Sequence, residues 1–360
     1  MSPLGTRIAA EIAASGPISV ADYMMRCLHD PEYGYYSTRE PFGRDGDFIT
    51  APEVSQMFGE LVGVWLYAAW RAIGAPDAVL AEIGPGRGTL FRDILRTMAR
   101  LDPDCLARLD LVLIETSERL RGVQAETLGT QAASVTWHGS VADLGDTPLI
   151  LVGNEIFDAL PFRQYVMTQA GWRERLVGTD ETGALCFVTG LGSLAPGFLP
   201  PRLDAASPGA IVEVAPGRSA LAGEVAARIA TRGGAALFFD YGHLKTGTGD
   251  TFQAVRRHGY EDVFACPGEA DLTSHVDFEA LAMEARGEDI DVHLSTQGQF
   301  LLAMGLIERA GRLGASADEP TRQVLQAAVE RLAAPDQMGD LFKVIALTPS
   351  GVAVPPFPFG

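Results

Sequence analysis

Polar side chains crowd the end of an apolar, strand-like run in the segment LILVGNEIFDALPF, residues 149–162. Asn154, Glu155 and Asp158 follow LILV, and their amide and carboxylate oxygens can accept hydrogen bonds from an amine or a guanidine. If the chain forms a helical turn from Glu155, the two carboxylates lie on one face. Alternatively, Asn154 and Asp158 cap a following helix, a position for which Glu155 is poorly suited. We interpret these three residues as candidate catalytic residues.

A glycine-rich turn, EIGPGRGT (82–89), follows an earlier apolar run. Glycines at a strand-to-helix turn allow a tight bend and a close approach to a ligand. The dinucleotide fingerprint G-x-G-x-x-G places a glycine where Thr89 stands, and the Glu82 carboxylate would repel a pyrophosphate. An acid here instead fits S-adenosylmethionine, which has an ammonium and a sulfonium and no phosphate. The predicted cofactor-binding residues of this turn are Glu82, Gly84, Pro85, Gly86, Gly88 and Thr89.

Glu115 ends the next apolar run, DLVLIE (110–115). An acid at this position is expected to accept hydrogen bonds from a ribose diol. It lies 27 residues after Gly88 (115 − 88), which is longer than the usual spacing of about 20. The segment LDPDCLARL (101–109) accounts for the excess. We predict that Glu115 holds the ribose of the cofactor.

Three further residues are candidates for cofactor contacts. Ser140 follows the third strand, where the adenine is expected, although the nearby Asp143 is equally suited to capping a helix. Asp47 and Thr50 lie in a loop that could close over the cofactor. The alternative for Thr50 is a capping box with Glu53 at the start of a helix.

Tyr241 and His243 end a late strand and are candidate substrate-binding residues. For His243, a hydrogen-bonded structural role is equally consistent with the sequence. No pair of histidines has metal-ligand spacing, and we therefore predict no metal site.

The elements that must position these residues alternate between strands and helices. Strand-like runs lie at 78–83, 110–115, 134–138, 148–153, 235–242 and 341–348. This alternation indicates an α/β fold with a mainly parallel sheet covered by helices on both faces. Helices are predicted at 8–15, 20–28, 54–72, 277–286, 296–312 and 319–333, and an antiparallel meander at 163–190. The predicted domains are a helical and loop cap (1–75), a core (76–348) with insertions at about 161–209 and 243–335, and a tail (349–360).

Composition excludes several classes of function. The net charge of -18 disfavours binding to nucleic acid or to an anionic membrane and favours a cationic partner. No apolar run reaches the roughly 20 residues of a membrane span. The four cysteines are isolated, which is typical of reduced thiols, and arginine far outnumbers lysine, which hints at a GC-rich bacterial genome. We therefore expect a bacterial cytoplasmic protein; no sequence feature indicates its oligomeric state.

Seven segments together resemble one known family. They are YMMRCLHDPEYGYY (23–36), GDFITAPEVSQMFGE (46–60), EIGPGRGTL (82–90), GNEIFDALPF (153–162), GEADLTSHVDF (268–278), TQGQFLLAMG (296–305) and MGDLFKV (338–344). The chain thereby resembles the MidA-type S-adenosylmethionine-dependent methyltransferases, which include a mitochondrial complex I assembly factor that methylates an arginine. The resemblance implies a seven-stranded, Rossmann-like class I core with an N-terminal helical extension, an inserted meander and C-terminal helical insertions.

The resemblance also implies S-adenosylmethionine as donor and a protein arginine as acceptor, with a link to respiratory complex assembly. In this interpretation Glu155, with Asn154 and Asp158, holds and activates the acceptor. Two alternatives remain at this point. One is an assembly chaperone that binds S-adenosylmethionine without essential catalysis, and the other is a dinucleotide-dependent oxidoreductase.

Overall fold

The computed structural model describes residues 2–38, 50–256, 259–286 and 289–357, which fall into two compact units. The sheet unit combines Ile49–Ile156, Ser219–Leu244 and Asp277–Gly360. The meander unit combines Met1–Phe48, Phe157–Arg218 and Lys245–Val276. The domain bounds given above stay a prediction.

The helices and strands have the following bounds. In chain order the α-helices are α1 Pro3–Ser15, α2 Val20–His29, α3 Tyr35–Thr38, α4 Ala51–Val54, α5 Gln56–Ala72, α6 Thr89–Leu101, α7 Glu118–Leu128, α8 Pro216–Arg232, α9 Phe278–Ala285, α10 Gln297–Ala303, α11 Leu306–Gly314, α12 Glu319–Ala333 and α13 Met338–Leu341. The strands are β1 Ile18–Ser19, β2 Ala78–Ile83, β3 Leu109–Ile114, β4 Val135–His138, β5 Leu149–Asn154, β6 Arg163–Thr168, β7 Gly171–Thr179, β8 Leu185–Ser193, β9 Ile211–Val214, β10 Gly234–His243, β11 Gln253–Arg256, β12 Gly259–Glu261, β13 Asp271–Thr273, β14 Val276–Asp277, β15 Ile290–Thr296 and β16 Phe342–Pro349.

The sheet unit is built on a path of seven strands in the order β15-β16-β10-β5-β2-β3-β4, counted over the described residues. The five strands from β10 to β4 are parallel, and β16 runs antiparallel to both of its neighbours. Strands β2, β5 and β10 are buried along almost their whole length, as their continuous apolar sequences predict. The predicted α/β fold is confirmed.

Strand β15 was not among the predicted strands. Its sequence alternates Ile290, Val292 and Leu294 with polar residues, and the strand is mostly half-buried at the edge of the sheet. An edge strand needs only one apolar face, so it lacks the continuous apolar run by which the other strands were found.

The predicted helices are present, with three main differences. Helix α1 begins at Pro3, five residues before the predicted start at residue 8. The helix expected from residue 54 begins instead at Gln56, because the Ser55 hydroxyl caps it by accepting a 3.2 Å hydrogen bond from the N–H of Met57. The single helix expected at 296–312 is divided into α10 and α11 at Gly305, whose φ of 92° is incompatible with a continuous helix.

The meander unit contains the predicted antiparallel insertion. Strands β6, β7 and β8 pair in sequence, β9 pairs with β6, and the short β1 pairs with β7. Helices α1 and α2 belong to this unit, and their buried residues share one core with Phe162, Val177 and Phe252. A separate sheet, β12-β11-β13, lies in the predicted insertion at about 243–335, for which no strand was predicted.

Within the described residues, none of the helices combines the length and the apolar character that a membrane crossing requires.

Candidate active site

The carboxyl ends of four parallel strands lie together at one edge of the sheet. Strands β3, β2, β5 and β10 are adjacent in that order. Glu82 is the penultimate residue of β2, Asn154 ends β5, and Glu115 directly follows β3. Ligands of open α/β sheets bind at this edge. The fold therefore brings these three sequence-predicted residues to the place where a ligand is expected.

Glu82 is a buried carboxylate that lacks part of its hydrogen bonding. Its residue is 2% exposed, and a backbone N–H of Phe91 donates to the carboxylate. Its Oε2 atom has no hydrogen-bond partner among the described residues. Burial raises the pKa of Glu82 from 4.5 to about 8. An unpaired buried carboxylate oxygen is unfavourable, and a cationic ligand group at this point would remove the penalty.

The glycine turn requires glycine at specific positions. Gly84, Gly86 and Gly88 have φ values of 63°, 51° and 81°, in the left-handed region that favours glycine. A Cβ atom on Gly84 would lie 2.6 Å from Cγ2 of Ile156. The glycine turn therefore presents a surface of backbone that a side chain would block.

The remaining residues of the turn lead into α6. The carbonyl of Pro85 accepts a 2.7 Å hydrogen bond from the N–H of Gly88. Gly88 is the N-cap of α6, and Thr89 is the first residue of that helix. The first turn of α6 therefore lies beside the carboxyl end of β2, where the N–H of Phe91 donates to Glu82.

Glu115 is held in a defined orientation. Its Oε1 accepts a 2.8 Å hydrogen bond from the N–H of Ser117, and its Oε2 accepts one of 3.2 Å from Gln124. Its own N–H donates to the carbonyl of His138 at 2.9 Å. Each carboxylate oxygen retains a lone pair, so the pair of oxygens can accept from two neighbouring hydroxyl groups.

Sequence reasoning missed Gln124, which is fully buried on α7. It contacts both the glycine turn and Glu115. A signal was present, since Gln124 falls between Leu120 and Leu128 at spacings of four on a helix that is otherwise mostly polar. A polar residue at a core position of an amphipathic helix must find buried partners.

Asn154 and Glu155 form a side-chain pair at the end of β5. Asn154 Nδ2 donates a 3.0 Å hydrogen bond to Glu155 Oε1, and the buried Asn154 Oδ1 has no partner among the described residues. The N–H of Glu155 donates to the carbonyl of Phe239 at 2.8 Å. Glu155 has a φ of 54°, so the chain does not form the helical turn from this residue that would place both carboxylates on one face. Strained backbone of this kind often marks functional sites.

Comparison with known proteins decides the family. Residues 61–296 match the model of a family described as S-adenosyl-L-methionine-dependent methyltransferase. The chain is 38% identical over 365 residues to the protein arginine methyltransferase NDUFAF7, mitochondrial, of Danio rerio, with 94% of this chain and 85% of the relative covered. The protein of the same name from Homo sapiens is 36% identical, with 97% and 84% covered. The chain belongs to the S-adenosylmethionine-dependent methyltransferases.

A solved structure supports the same cofactor for this methyltransferase. A protein from Burkholderia thailandensis bound to S-adenosyl-homocysteine is 32% identical and superposes with a TM-score of 0.82, covering 96% of this chain and 91% of that one. The residues present fit the cofactor. The unpaired Oε2 of Glu82 suits its amino group, and the oriented carboxylate of Glu115 suits its ribose diol. The dinucleotide alternative is rejected.

In the segment after β4, Asp143 takes part in capping a short helix, as the alternative interpretation of this residue predicted. In the methyltransferase, Ser140 is exposed and is the N-cap of a short 3-10 helix, Val141–Asp143. The Asp143 carboxylate accepts from the N–H groups of Ser140 and Gly139, at 2.8 and 3.1 Å. Its hydrogen bond with the Ser140 hydroxyl holds the pKa of Asp143 below its usual value. Contact of Ser140 with adenine stays a prediction.

Asp158 belongs to the meander unit, whereas Asn154 and Glu155 belong to the sheet unit. The residue is 7% exposed. Residues 155–162 form bends and turns that lead into β6, so neither Asn154 nor Asp158 caps a helix, and that alternative is wrong. The predicted cooperation of Asp158 with Glu155 stays a prediction.

The two predicted substrate-binding residues lie at the carboxyl end of β10. Tyr241 is 8% exposed, and its ring packs edge-on against Phe342 at 5.6 Å, as part of the core of the sheet unit. His243 Nδ1 lies 3.8 Å from Asp277 Oδ1, which is longer than a hydrogen bond. Substrate contact by either residue stays a prediction.

Of the two candidate residues in the loop, Asp47 and Thr50, the structure describes only Thr50. Asp47 lies outside the described residues. Thr50 is the N-cap of α4, but its side chain makes no capping hydrogen bond, so the hydroxyl half of the expected capping box is absent. Cofactor contact by Thr50 stays a prediction. In the described part of the chain, no cluster of three or more histidine, cysteine, aspartate or glutamate residues could hold a metal ion.

Proposed function

We propose that this methyltransferase methylates a side-chain nitrogen of arginine in a protein substrate. The mitochondrial relatives that share 36–38% of its residues carry the name protein arginine methyltransferase. The proposal rests on one feature of the site, which is the pair formed by Asn154 and Glu155.

The pair presents hydrogen-bond acceptors. A guanidinium has five N–H donors and no acceptor, and an ionised carboxylate has only acceptors. The amide of Asn154 is oriented by Glu155, because the reverse orientation would place two oxygens in contact at 3.0 Å. Its buried Oδ1, which lacks a partner among the described residues, therefore adds a second acceptor. Both groups suit a guanidinium and do not suit an anionic acceptor.

The chemistry explains why a carboxylate is needed. Arginine is a weak nucleophile because its pKa lies above about 12 and the side chain stays protonated. Glu155 can bind two N–H groups of the guanidinium and favour the arrangement in which the third nitrogen exposes a lone pair. S-adenosylmethionine supplies a methyl group on a positively charged sulfur. As the N–C bond forms and the C–S bond breaks, the sulfur keeps the electron pair, and the proton leaves the guanidinium for Glu155 or water.

The proposed substrate is a basic protein segment, with a respiratory complex subunit as the first candidate on the basis of the MidA-type resemblance. A net charge of -18 favours the approach of such a segment. We also propose a bacterial cytoplasmic location. Support comes from the excess of arginine over lysine and from the four cysteines, none of which forms a disulfide.

The test is incubation of the purified chain with methyl-labelled S-adenosylmethionine and extract from a strain that lacks the gene. Mass spectrometry of the labelled proteins should place the label on arginine nitrogen, and Glu155→Gln should remove it. Label on lysine or on a carboxyl group would overturn the arginine proposal. Cofactor binding without any transfer would instead favour the assembly chaperone.

A further inference from the structure

Gln124 is a buried amide whose side chain makes three hydrogen bonds. The residue is 0% exposed. Its Nε2 donates to the carbonyl of Gly86 at 2.9 Å and to Glu115 Oε2 at 3.2 Å. Its Oε1 accepts from Trp137 Nε1 at 2.9 Å. One side chain thus joins the glycine turn, the acid after β3 and strand β4.

The partners determine which way the amide points. An indole N–H can only donate, so the amide oxygen must face Trp137. A backbone carbonyl and an ionised carboxylate can only accept, so the amide nitrogen must face Gly86 and Glu115. Only one of the two amide orientations satisfies the three bonds, and the side chain is therefore a rigid connector.

Gln124 and Ser117 bond to different oxygens of the Glu115 carboxylate. The N–H of Ser117 holds Oε1 of Glu115 at 2.8 Å, and Gln124 holds Oε2. The backbone carbonyl of Glu115 is held as well, by Nε and Nη2 of Arg121 at 3.0 and 2.7 Å. With both oxygens restrained, the carboxylate has a defined plane in which to meet two vicinal hydroxyl groups. Hydrogen bonding of this kind preorganises a ligand-binding group.

Gln124 also packs on the glycine turn. A Cβ atom on Gly88 would lie 3.4 Å from the Cα of Gln124, so α7 lies against the turn at this point. The hydrogen bond to the Gly86 carbonyl fixes a residue whose φ of 51° lies in the left-handed region. The same amide therefore sets the spacing between the glycine turn and Glu115.

We propose that Gln124 is a positioning residue for the cofactor, which aligns the Glu115 carboxylate with the glycine turn and thereby sets the recognition of the ribose diol. A simple structural role for a satisfied core amide predicts a loss of stability alone. A positioning role predicts in addition a specific loss of discrimination at the ribose.

The test is calorimetric titration with S-adenosylhomocysteine and with its 2′-deoxy analogue. Gln124→Met replaces the amide by an apolar side chain of similar length, and Glu126→Ala on the exposed face of the same helix is the control. Because a hydrogen bond to a charged group is lost, we expect Gln124→Met to weaken S-adenosylhomocysteine binding roughly 10- to 100-fold. The 2′-deoxy analogue should lose much less, so the preference between the two ligands shrinks. Glu126→Ala should leave both affinities unchanged.

A second variant tests whether Gln124 acts as the hydrogen-bond donor to Glu115, through the pH dependence of S-adenosylhomocysteine affinity. In Gln124→Glu a second carboxylate faces Glu115, and the two repel each other. Relative to wild type, the affinity should be lowest at neutral pH and should recover as the pH falls, at a pH above the ordinary carboxyl value of about 4. Repulsion raises the pKa of one carboxyl group of the pair, and its protonation restores a donor. Wild type should not gain affinity over that range.

Two results would overturn the proposal. One is a Gln124→Met protein that melts at a lower temperature but keeps the wild-type preference for S-adenosylhomocysteine over the 2′-deoxy analogue. The other is a Gln124→Glu protein whose affinity follows pH as in wild type. If Gln124→Met does not fold, Trp137→Phe removes the donor to Gln124 Oε1 together with part of the packed ring, and the same loss of preference is expected from it. Neither outcome depends on the identity of the methyl acceptor.

Discussion

Asn154 Nδ2 donates a 3.0 Å hydrogen bond to Oε1 of Glu155, its immediate neighbour in the chain. Consecutive residues of an extended strand point to opposite faces, so such a bond is not expected within a strand. The left-handed φ of 54° at Glu155 breaks the alternation and brings the two side chains together. The side-chain hydrogen bond between Asn154 and Glu155 therefore depends on the left-handed backbone conformation of Glu155.

Substitutions at Glu155 should separate stability from activity. A non-glycine residue in this conformation costs of order 1 kcal/mol or more. Glu155→Gly should therefore fold with a free energy of unfolding equal to that of wild type or up to about 1 kcal/mol higher. Its methyl transfer should be lost, with S-adenosylhomocysteine affinity kept. Urea denaturation and calorimetry measure the two properties.

Glu155→Gln is the matched control, because it keeps the backbone strain and the side-chain length but removes the charge. It should bind S-adenosylhomocysteine as wild type does and should transfer no methyl group. Wild-type activity in Glu155→Gln would remove Glu155 from the mechanism.

Binding of the cofactor should release a proton from Glu82. With a pKa of about 8, the carboxyl group is mostly protonated in the free protein at pH 7. The ammonium of the ligand favours the carboxylate, so about one proton should leave on binding. Calorimetry of S-adenosylhomocysteine at pH 7 in two buffers of different ionisation enthalpy measures this number. The release should vanish in Glu82→Gln; equal release in both proteins would assign the proton to another group.

The raised pKa of Glu82 also makes the cofactor-free protein less stable at high pH. The unfolded chain loses the Glu82 proton near pH 4.5 and the folded chain near pH 8. Between these pH values the folded state holds this proton and the unfolded state does not. The contribution of Glu82 to the free energy of unfolding is therefore complete below pH 4.5. It declines as the pH rises to 8, by at most about 1.4 kcal/mol per pH unit. The contribution should be absent in Glu82→Gln, and a Glu82→Gln protein with the same pH slope as wild type would contradict the assignment.

Gly84→Ala should destabilise the protein by steric overlap as well as by backbone strain. The added Cβ would meet Ile156 Cγ2 at 2.6 Å, and φ is 63°. Gly74→Ala is the control, since its φ is 92° and nothing lies within 4 Å of the added atom. We expect Gly84→Ala to cost about 1–3 kcal/mol more than Gly74→Ala in urea denaturation. Adding Ile156→Ala should recover part of the difference, and an equal cost at the two glycines would refute the steric explanation.

Arg218→Ala should be strongly destabilising. Arg218 is 3% exposed. Its guanidinium donates to the backbone carbonyls of Asp158, Leu160 and His275 and to the Ser274 hydroxyl. Its removal takes a donor from each of these acceptors, and we expect a loss of about 3–5 kcal/mol. The exposed Arg202, which donates to the Thr246 carbonyl, is the control. Arg202→Ala should cost less than about 1 kcal/mol, and similar losses at both positions would show that burial does not determine the effect.

Several site residues were predictable because they are local to strand ends. Glu82 and Glu115 close apolar runs, and the order of those runs along the chain already indicates a parallel sheet. The carboxyl ends of adjacent parallel strands meet at one edge, so acids at these ends must lie near one another. The sequence alone thus determined the α/β fold and the meeting of these acids at one edge of the sheet.

Tertiary structure decided the features that depend on partners distant in sequence or on backbone conformation. Gln124 and Trp137 acquire a role only where α7 and β4 pack beside the glycine turn, and Arg218 finds its acceptors about 60 residues away in both directions along the chain. Glu155 has its left-handed φ where its N–H bonds to the carbonyl of Phe239, a contact that exists only when β5 and β10 pair. Residue type constrains local conformation and burial, whereas the assembled sheet determines which buried polar groups meet.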